Sequence, residues 1–194
     1  AYVPGFWLVV SALIAIPLFG MSREQVTAAW GEAAEKLVAP LIALVFVIAM
    51  VQVMLQSGAH PGAPEAGSMI QALATFTADS LGPAYPLIAA LIGALGAAMA
   101  GSNTVSNITF SGFQFEAAQQ LGLPTQIIVG AQAVGGAIGN LIAIHNVVAA
   151  LATVGLVGQE GRVMRLNLIP LVYYSAVVGI LAMLFSYLLF PGLF

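Results

Sequence analysis

Apolar residues occur in long runs along this chain, and short polar stretches separate the runs. In two of the runs, 37–53 and 166–190, apolar side chains would cover nearly every side of a helix. A membrane β-barrel instead needs strands of about ten residues that alternate apolar with polar positions. The uncharged stretches, each able to hold a helix that crosses a bilayer, are 1–22, 37–64, 80–115, 117–159 and 166–194. The pattern predicts an all-α integral membrane protein, a polytopic helical bundle.

The polar interruptions divide the chain into a series of predicted elements. Ser22 to Gln25 form a helix-capping pattern, after which Val26 and Trp30 recur at the spacing of an amphipathic helix. The predicted elements are a transmembrane helix at 6–19, a cytoplasmic amphipathic helix at 22–36, a transmembrane helix at 37–56, an external loop with an interfacial helix at 57–84, a re-entrant hairpin at 85–121, a broken transmembrane helix at 126–157 and a transmembrane helix at 166–190.

The predicted hairpin contains a polar interruption between two apolar arms. Its polar side chains are small ones that cap helices through their own hydroxyl or amide groups. Such residues suit a point inside the membrane where one helix ends and another begins. They are Ser102, Asn103, Thr104, Ser106 and Asn107.

A second interruption lies within the next apolar run. Gly139 and Asn140 begin it, and His145 and Asn146 follow after four apolar residues. Gly135 and Gly139 have the spacing of a close helix-packing motif, and packing is the expected role of the glycines here, Gly136 included. The sequence therefore predicts two broken helical segments next to each other in the chain.

The positions of the basic residues predict the orientation. Arg23 and Lys36 lie in one polar stretch, and Arg162 and Arg165 in another. By the positive-inside rule both stretches are cytoplasmic, so an even number of crossings separates them. Because the helix at 37–56 is one crossing, only one of the two broken segments can cross, and the hairpin is expected to enter and leave on the same side.

Composition narrows the class of protein further. Of 194 residues, 61% are hydrophobic and 6% charged, whereas about a quarter are charged in soluble domains. The net charge is −3 and basic residues form no cluster, which argues against nucleic acid as a partner. Absence of Cys excludes thiolate metal sites and disulfides, and no His-xxx-His spacing or nucleophile-base pair suggests an enzyme. The start at Ala1, without Met, is expected of a piece of a longer protein.

The polar tips have the chemistry of a site for a small anion. At a helix break, free N–H groups and the positive end of a helix can hold a carboxylate without a formal cation. Oxygens on the same tip can bind Na⁺ or pass on a proton. The alternative is that each cluster is only a capped turn at a membrane surface. The predicted substrate-binding residues are Ser102, Asn103, Thr104, Ser106, Asn107, Asn140 and Asn146.

Two further residues are candidates for proton coupling. His145 is the residue of the broken regions whose charge can change near neutral pH, although a neutral hydrogen-bonding role is an equal alternative. Glu116 is the lone charge between residues 80 and 159. An intramembrane carboxylate is by default a functional hypothesis, and a position near the mouth of the hairpin is the alternative for Glu116.

The stretch 101–150, which includes Gly101 to Asn107 and Gly139 to Ala150, closely resembles the L-lactate permease family. Residues 152–158 and Glu160-Gly161 also resemble that family. The resemblance is strong over about 85–175. It implies the C-terminal part of a longer permease whose N-terminal half is absent, located in the bacterial inner membrane as a multi-pass protein. It also implies proton-coupled uptake of lactate and often glycolate. The Ser102-Asn103-Thr104 triplet is similar to the hairpin tip of sodium-coupled dicarboxylate transporters in the wider ion transporter superfamily.

We therefore expect a symporter for small monocarboxylates, with the lipid bilayer and the other half of the permease as its partners. No cofactor or metal is expected beyond the coupling ion, which is H⁺ or alternatively Na⁺. The segments with the tips contain no Lys or Arg, so one delocalised negative charge is easier to accommodate than two. The alternatives are a sodium-coupled carboxylate or dicarboxylate transporter, an ion channel, or a membrane scaffold.

Overall fold

A computed structural model describes residues 4–59 and 67–191, which form helices and no strand. The all-α prediction is thus confirmed for these residues, while positions 60–66 of the predicted external loop lie outside them. Short 3-10 turns occupy Ser57–Ala59 and Gly82–Ala84, and a π-helical turn, Phe185–Leu189, extends the last helix. The α-helices are α1 Pro4–Leu18, α2 Arg23–Gln56, α3 Met69–Leu81, α4 Tyr85–Ala100, α5 Asn103–Gln120, α6 Thr125–Gly139, α7 Ile144–Thr153 and α8 Glu160–Leu184.

The contacts within the chain form two units, Ala1–Val45 and Phe46–Phe194. In the first unit, Ser22 and Gln25 form reciprocal hydrogen bonds of 2.9 and 3.2 Å between the side chain of each and the backbone N–H of the other, the capping box that the sequence pattern predicts. The helix that follows does not stop at residue 36. The predicted helices 22–36 and 37–56 form the single helix α2, because no Gly or Asn at 37–39 offers a helix end.

The second unit is built on α4, α5, α6 and α8. α5 returns antiparallel along α4, since Ser106 lies beside Gly93 and Gln114 beside Ala89. α8 is also antiparallel to α4, since Gly179 lies against Leu87 and the Tyr187 hydroxyl donates to the Pro83 carbonyl oxygen. The sequence between 85 and 121 therefore folds as two antiparallel helices joined at residues 101–102.

α6 packs parallel to α4 through small residues. A Cβ on Gly135 would meet the Ala90 carbonyl oxygen, and one on Gly139 would meet that of Ala94. The expected packing role of these glycines is confirmed, because no side chain fits between the two backbones. Since the helices run in the same direction, the end of α4 at Gly101 and the end of α6 at Asn140 lie at the same end of the unit.

Much of the surface is apolar, and by length and composition two helical stretches can cross a membrane, Met69–Ala100 and Glu160–Leu189. The pair Thr125–Gly139 and Ile144–Leu151, bent by 41°, passes the same test together. The first stretch joins the predicted interfacial helix to the first arm of the hairpin, because Gly82-Pro83 inserts a 3-10 turn without interrupting the helical run. Large side chains exposed on these helices require lipid or further protein to cover them.

Candidate functional site

The turn between α4 and α5 is the first part of the candidate site. Gly101 ends α4 in the left-handed conformation, with φ 64°, which a side chain would disfavour. Ser102 then caps α5, its hydroxyl oxygen accepting a 3.3 Å hydrogen bond from the Val105 N–H. Ser102 therefore has the capping role that its residue type suggests. Asn103 is the first residue of α5 and is half-buried at its N-terminal end.

The break between α6 and α7 is the second part. Residues 140–143 leave the helical path, and α7 starts again at Ile144 after a bend of 41°. A break frees backbone carbonyls that need partners away from water. Asn167 of α8 supplies one, its Nδ2 donating to the Leu141 carbonyl oxygen at 2.7 Å. A side chain from a neighbouring helix thus pairs a backbone carbonyl at the break.

The turn and the break touch each other. The His145 ring lies directly against Gly101, with its Nε2 3.1 Å from the Gly101 carbonyl oxygen. A Cβ added to Gly101 would overlap the ring. His145 is otherwise exposed. Gly101 is therefore required both for its backbone conformation and for the space that the imidazole occupies.

A chain of amide side chains, two buried and two half-buried, connects the α4–α5 turn to the core, and this amide chain consists of Gln114, Gln132, Asn107 and Asn103. Gln114 and Gln132 are each 0% exposed. The Gln114 Nε2 donates to the Gln132 Oε1 at 3.0 Å, and the Gln132 Nε2 donates to the Ser106 Oγ at 3.1 Å and to the Asn107 Oδ1 at 3.5 Å. The Asn107 Nδ2 then donates to the Asn103 Oδ1 at 3.1 Å. Buried polar groups so fully paired hold the helices in one arrangement.

A cleft of about 220 Å³ lies beside the break and contains three asparagines, Asn140, Asn146 and Asn167. The Asn140 Oδ1 is buried and has no hydrogen-bond partner among the described residues. A buried acceptor without a donor is unusual and costly in a folded protein. Asn140 therefore has an unpaired acceptor, whereas each side-chain oxygen of the amide chain accepts a hydrogen bond.

The structure brings together most of the predicted site residues, in two groups. Asn103, Ser106 and Asn107 belong to the hydrogen-bonded network, and Asn140 and Asn146 line the cleft. Thr104 is exposed beside the turn. Glu116 is not part of either group, because it lies on α5 about 20 Å further along the helix axis than Asn103.

Sequence reasoning missed four residues at the site, namely Tyr85, Gln114, Gln132 and Asn167. Of these four, Gln132 is isolated, because it is the one amide between Ile127 and Ile138 in an otherwise apolar helical stretch. That isolation is a usable signal, since a lone glutamine in an apolar helix must find a partner on a neighbouring helix. The small residues at the two breaks form clusters and so were easier to recognise.

Helices α4 to α7 carry no formal positive charge at the site, because residues 80–159 contain neither Lys nor Arg. On α8, Arg165 lines a cavity together with Ile142 of the break. Partial positive charge comes from amide donors and from the N-terminal ends of α5 and α7. No group of three His, Cys, Asp or Glu side chains that could hold a metal occurs in the described ranges.

Apolar helices that pack through glycine and alanine, with two polar breaks meeting at one end, define a helical membrane protein with interrupted helices. A family model described as L-lactate permease matches residues 1–189, and the chain belongs to that family. The relatives are permeases, so this is a family of transporters and not of enzymes.

Three curated relatives illustrate the similarity. A putative L-lactate permease of Haemophilus influenzae is 34% identical over 98% of this chain and 34% of its own length. The L-lactate permease of Escherichia coli is 28% identical over 95% of this chain and 32% of its own length. The glycolate permease GlcA of the same species is 28% identical over 97% and 32%. The chain thus spans about a third of the length of these relatives, and no solved structure matches it.

Proposed function

We propose that this chain is the C-terminal part of a secondary transporter that takes up lactate and similar small monocarboxylates, such as glycolate, together with protons across the bacterial inner membrane. The observation that carries the proposal is the contact between the two breaks, at Gly101 and His145. Two interrupted helices that meet inside an apolar bundle are how transporters commonly build a substrate site.

In this proposal the α4–α5 hairpin is re-entrant, and its tip meets the substrate carboxylate. Asn103 and the free N–H groups at the start of α5 supply hydrogen-bond donors, with Ser102, Thr104, Ser106 and Asn107 around them. Asn140 and Asn146 face the substrate from the broken helix. One negative charge suits this set of neutral donors better than two, since no cation is present on these helices. The names of the relatives, lactate and glycolate permeases, support the same substrate class.

His145 is the proposed site of proton coupling. It lies at the contact between the breaks, so a change in its charge would alter the interaction with the Gly101 carbonyl. The Gly101 carbonyl oxygen only accepts, so Nε2 is the donor in either charge state, and a hydrogen bond donated by a charged ring is the stronger one. Protonation would therefore strengthen the contact between turn and break and bring a positive charge toward the anion.

The test is uptake of labelled lactate into vesicles that contain the full-length permease, driven by an inward pH gradient, by a Na⁺ gradient, or by neither. Accumulation with the pH gradient alone supports proton symport. Accumulation only with Na⁺ favours the second candidate, a sodium-coupled carboxylate transporter, for which the unpaired Asn140 Oδ1 offers a hard oxygen ligand. No uptake under any condition would refute both.

A second measurement separates the site from the family resemblance. Asn103→Ala in the full-length permease should raise the KM for lactate by tenfold or more, because it removes an amide donor to a charged group. Unchanged uptake would exclude Asn103 from the site. The 194-residue chain by itself should show no saturable uptake, since a site between two halves would lack one wall.

A further inference from the structure

We propose that Gln132 and Gln114 are positioning residues that fix the Asn103 amide with its Nδ2 toward the substrate. The buried network then determines whether the anion meets the NH₂ group or the carbonyl oxygen of that amide. The inference rests on the proposed function, because it concerns how Asn103 binds a carboxylate. Both glutamines lie on the core side of the amide chain, away from the exposed surface of the turn.

The orientation starts at the backbone carbonyl of Ala89, which can only accept hydrogen bonds. The Ala89 carbonyl oxygen lies 3.0 Å from one side-chain atom of Gln114, so that atom must be the donor Nε2. The other Gln114 atom is then Oε1, which accepts a 2.6 Å hydrogen bond from the Tyr85 hydroxyl. The Gln114 amide therefore has a single satisfied orientation.

The orientation passes from Gln114 to Gln132. Since Gln114 presents Nε2, the facing atom of Gln132 must be an acceptor, Oε1, at 3.0 Å. The Gln132 Nε2 then donates to the Ser106 Oγ at 3.1 Å, and that hydroxyl donates onward to the Gly93 carbonyl at 2.8 Å. Reversing Gln132 would place two NH₂ groups against each other.

The orientation of Gln132 in turn determines the orientations of Asn107 and Asn103, which lie at the proposed substrate site. The Gln132 Nε2 also faces Asn107 at 3.5 Å, so the facing Asn107 atom is Oδ1, and the Asn107 Nδ2 donates to the Asn103 Oδ1 at 3.1 Å. With Oδ1 used, the remaining Asn103 atom is the donor Nδ2, and within the described part of the chain the side chain of Asn103 makes its hydrogen bond through Oδ1 alone. A carboxylate needs that donor.

A separate contact supports the position of Asn103. Its Oδ1 lies where a Cβ on Gly136 of α6 would be, so only glycine leaves room for the amide in this orientation. Gly136 and Gln132 are one helical turn apart on α6. The face of α6 that orients Asn103 through hydrogen bonds thus also gives it space.

The test compares the KM for lactate of the full-length permease in vesicles among single and double variants. Gln132→Met keeps the length of the side chain and removes its polar atoms. It should raise the KM about tenfold with little change in maximal rate, because Asn103 then samples both amide orientations. Ser175→Ala, which removes a buried hydroxyl outside the network on α8, is the control and should leave the KM unchanged.

The double variant Gln132→Met with Asn103→Ala decides between positioning and general support of the fold. If Gln132 acts through Asn103, its loss should add nothing once Asn103 is gone, so the double variant should match Asn103→Ala within about twofold. Penalties that multiply would overturn the inference, and so would a KM for Gln132→Met equal to that of Ser175→Ala. Lactate uptake by the parent protein with a penalty for Asn103→Ala would leave the proposed function intact in either case.

Gln132→Leu serves if Gln132→Met does not accumulate in the membrane. Leucine is apolar and slightly smaller, so it neither accepts from the Gln114 Nε2 nor donates to Asn107. Asn103 should again lose its fixed orientation, and the KM should rise about tenfold. An unchanged KM in this variant would equally contradict the inference.

Discussion

The two breaks in this protein differ in how completely their polar groups are paired. At the α4–α5 turn, every acceptor of the amide chain from Gln114 to Asn103 has a donor, and the Ala89 carbonyl anchors the chain to the backbone. At the α6–α7 break, Asn167 pairs one freed carbonyl, and the Asn140 Oδ1 has no partner in the described structure. The turn is preorganised, whereas the break keeps capacity for a partner that arrives from elsewhere.

This difference suggests a division of roles. A fully paired buried network resists rearrangement, because each broken bond strands a partner. At a break with an unpaired acceptor, a new hydrogen-bond partner can bind without the loss of an existing hydrogen bond. We expect the turn to define where the substrate carboxylate binds, and the break with His145 to respond to binding and protonation.

The largest expected effect concerns His145. His145→Gln keeps a hydrogen-bonding side chain beside Gly101 but cannot gain a charge, so accumulation driven by an inward pH gradient should be lost. Exchange of lactate without a gradient should continue. Glu116→Gln is the comparison, and gradient-driven uptake should change less than twofold because Glu116 lies far from both breaks. A larger loss of gradient-driven uptake in Glu116→Gln than in His145→Gln would place proton coupling on α5, away from the break.

The next effect tests whether contact between turn and break matters. Gly101→Ala should reduce lactate uptake at least tenfold, since the new Cβ would displace the His145 ring. Gly122→Ala is a matched control: Gly122 has the same φ of 64° and open space around it, so the change costs only the left-handed backbone strain of about 1 kcal/mol. Equal losses of uptake in the two variants would show that strain alone, and not the imidazole contact, explains the result.

A smaller effect compares two asparagines of the cleft. Asn167→Ala strands the Leu141 carbonyl and should lower the free energy of unfolding by about 1–3 kcal/mol. Asn140→Ala removes the unpaired acceptor and should change stability by less than about 1 kcal/mol, while it raises the KM for lactate. Thermal unfolding of the purified permease measures the first quantity. If Asn140→Ala destabilises the protein more than Asn167→Ala does, the polar groups at the break are not less completely paired than those at the α4–α5 turn.

The smallest effect lies outside both regions, at an exposed ion pair on α2. The Lys36 ammonium donates to Glu32 at 2.6 Å and holds the pKa of that carboxyl below its usual value through the hydrogen bond and the nearby charge. A lowered pKa stabilises the fold above the ordinary carboxyl range, and the contribution is lost as the pH falls through the lowered value. Lys36→Ala should raise the Glu32 pKa in an NMR titration and leave lactate uptake unchanged, because exposed pairs contribute little.

Local sequence was sufficient for the parts of the fold that depend on local chemistry. The Ser22 and Gln25 capping box, the cap at Ser102 and the close packing at Gly135 all follow from residue type and spacing. The predicted end of a helix at residue 36 was wrong. The charged residues give way to apolar ones there, but the helix propensity does not change, so α2 continues. Gln132 and Asn167 escaped notice because their partners are on other helices.

The sequence by itself determined an all-helical membrane protein with polar interruptions at 101–107 and 139–146, because apolar length and helix-capping chemistry are local properties. Only the tertiary structure decided that the two interruptions meet, that α6 runs parallel to α4, and which way the Asn103 amide faces. Those facts depend on contacts such as Gly135 with Ala90 and Gln132 with Asn107, between residues far apart in the chain. An amide has no preferred orientation until its neighbours supply one, and here the neighbours come from three helices.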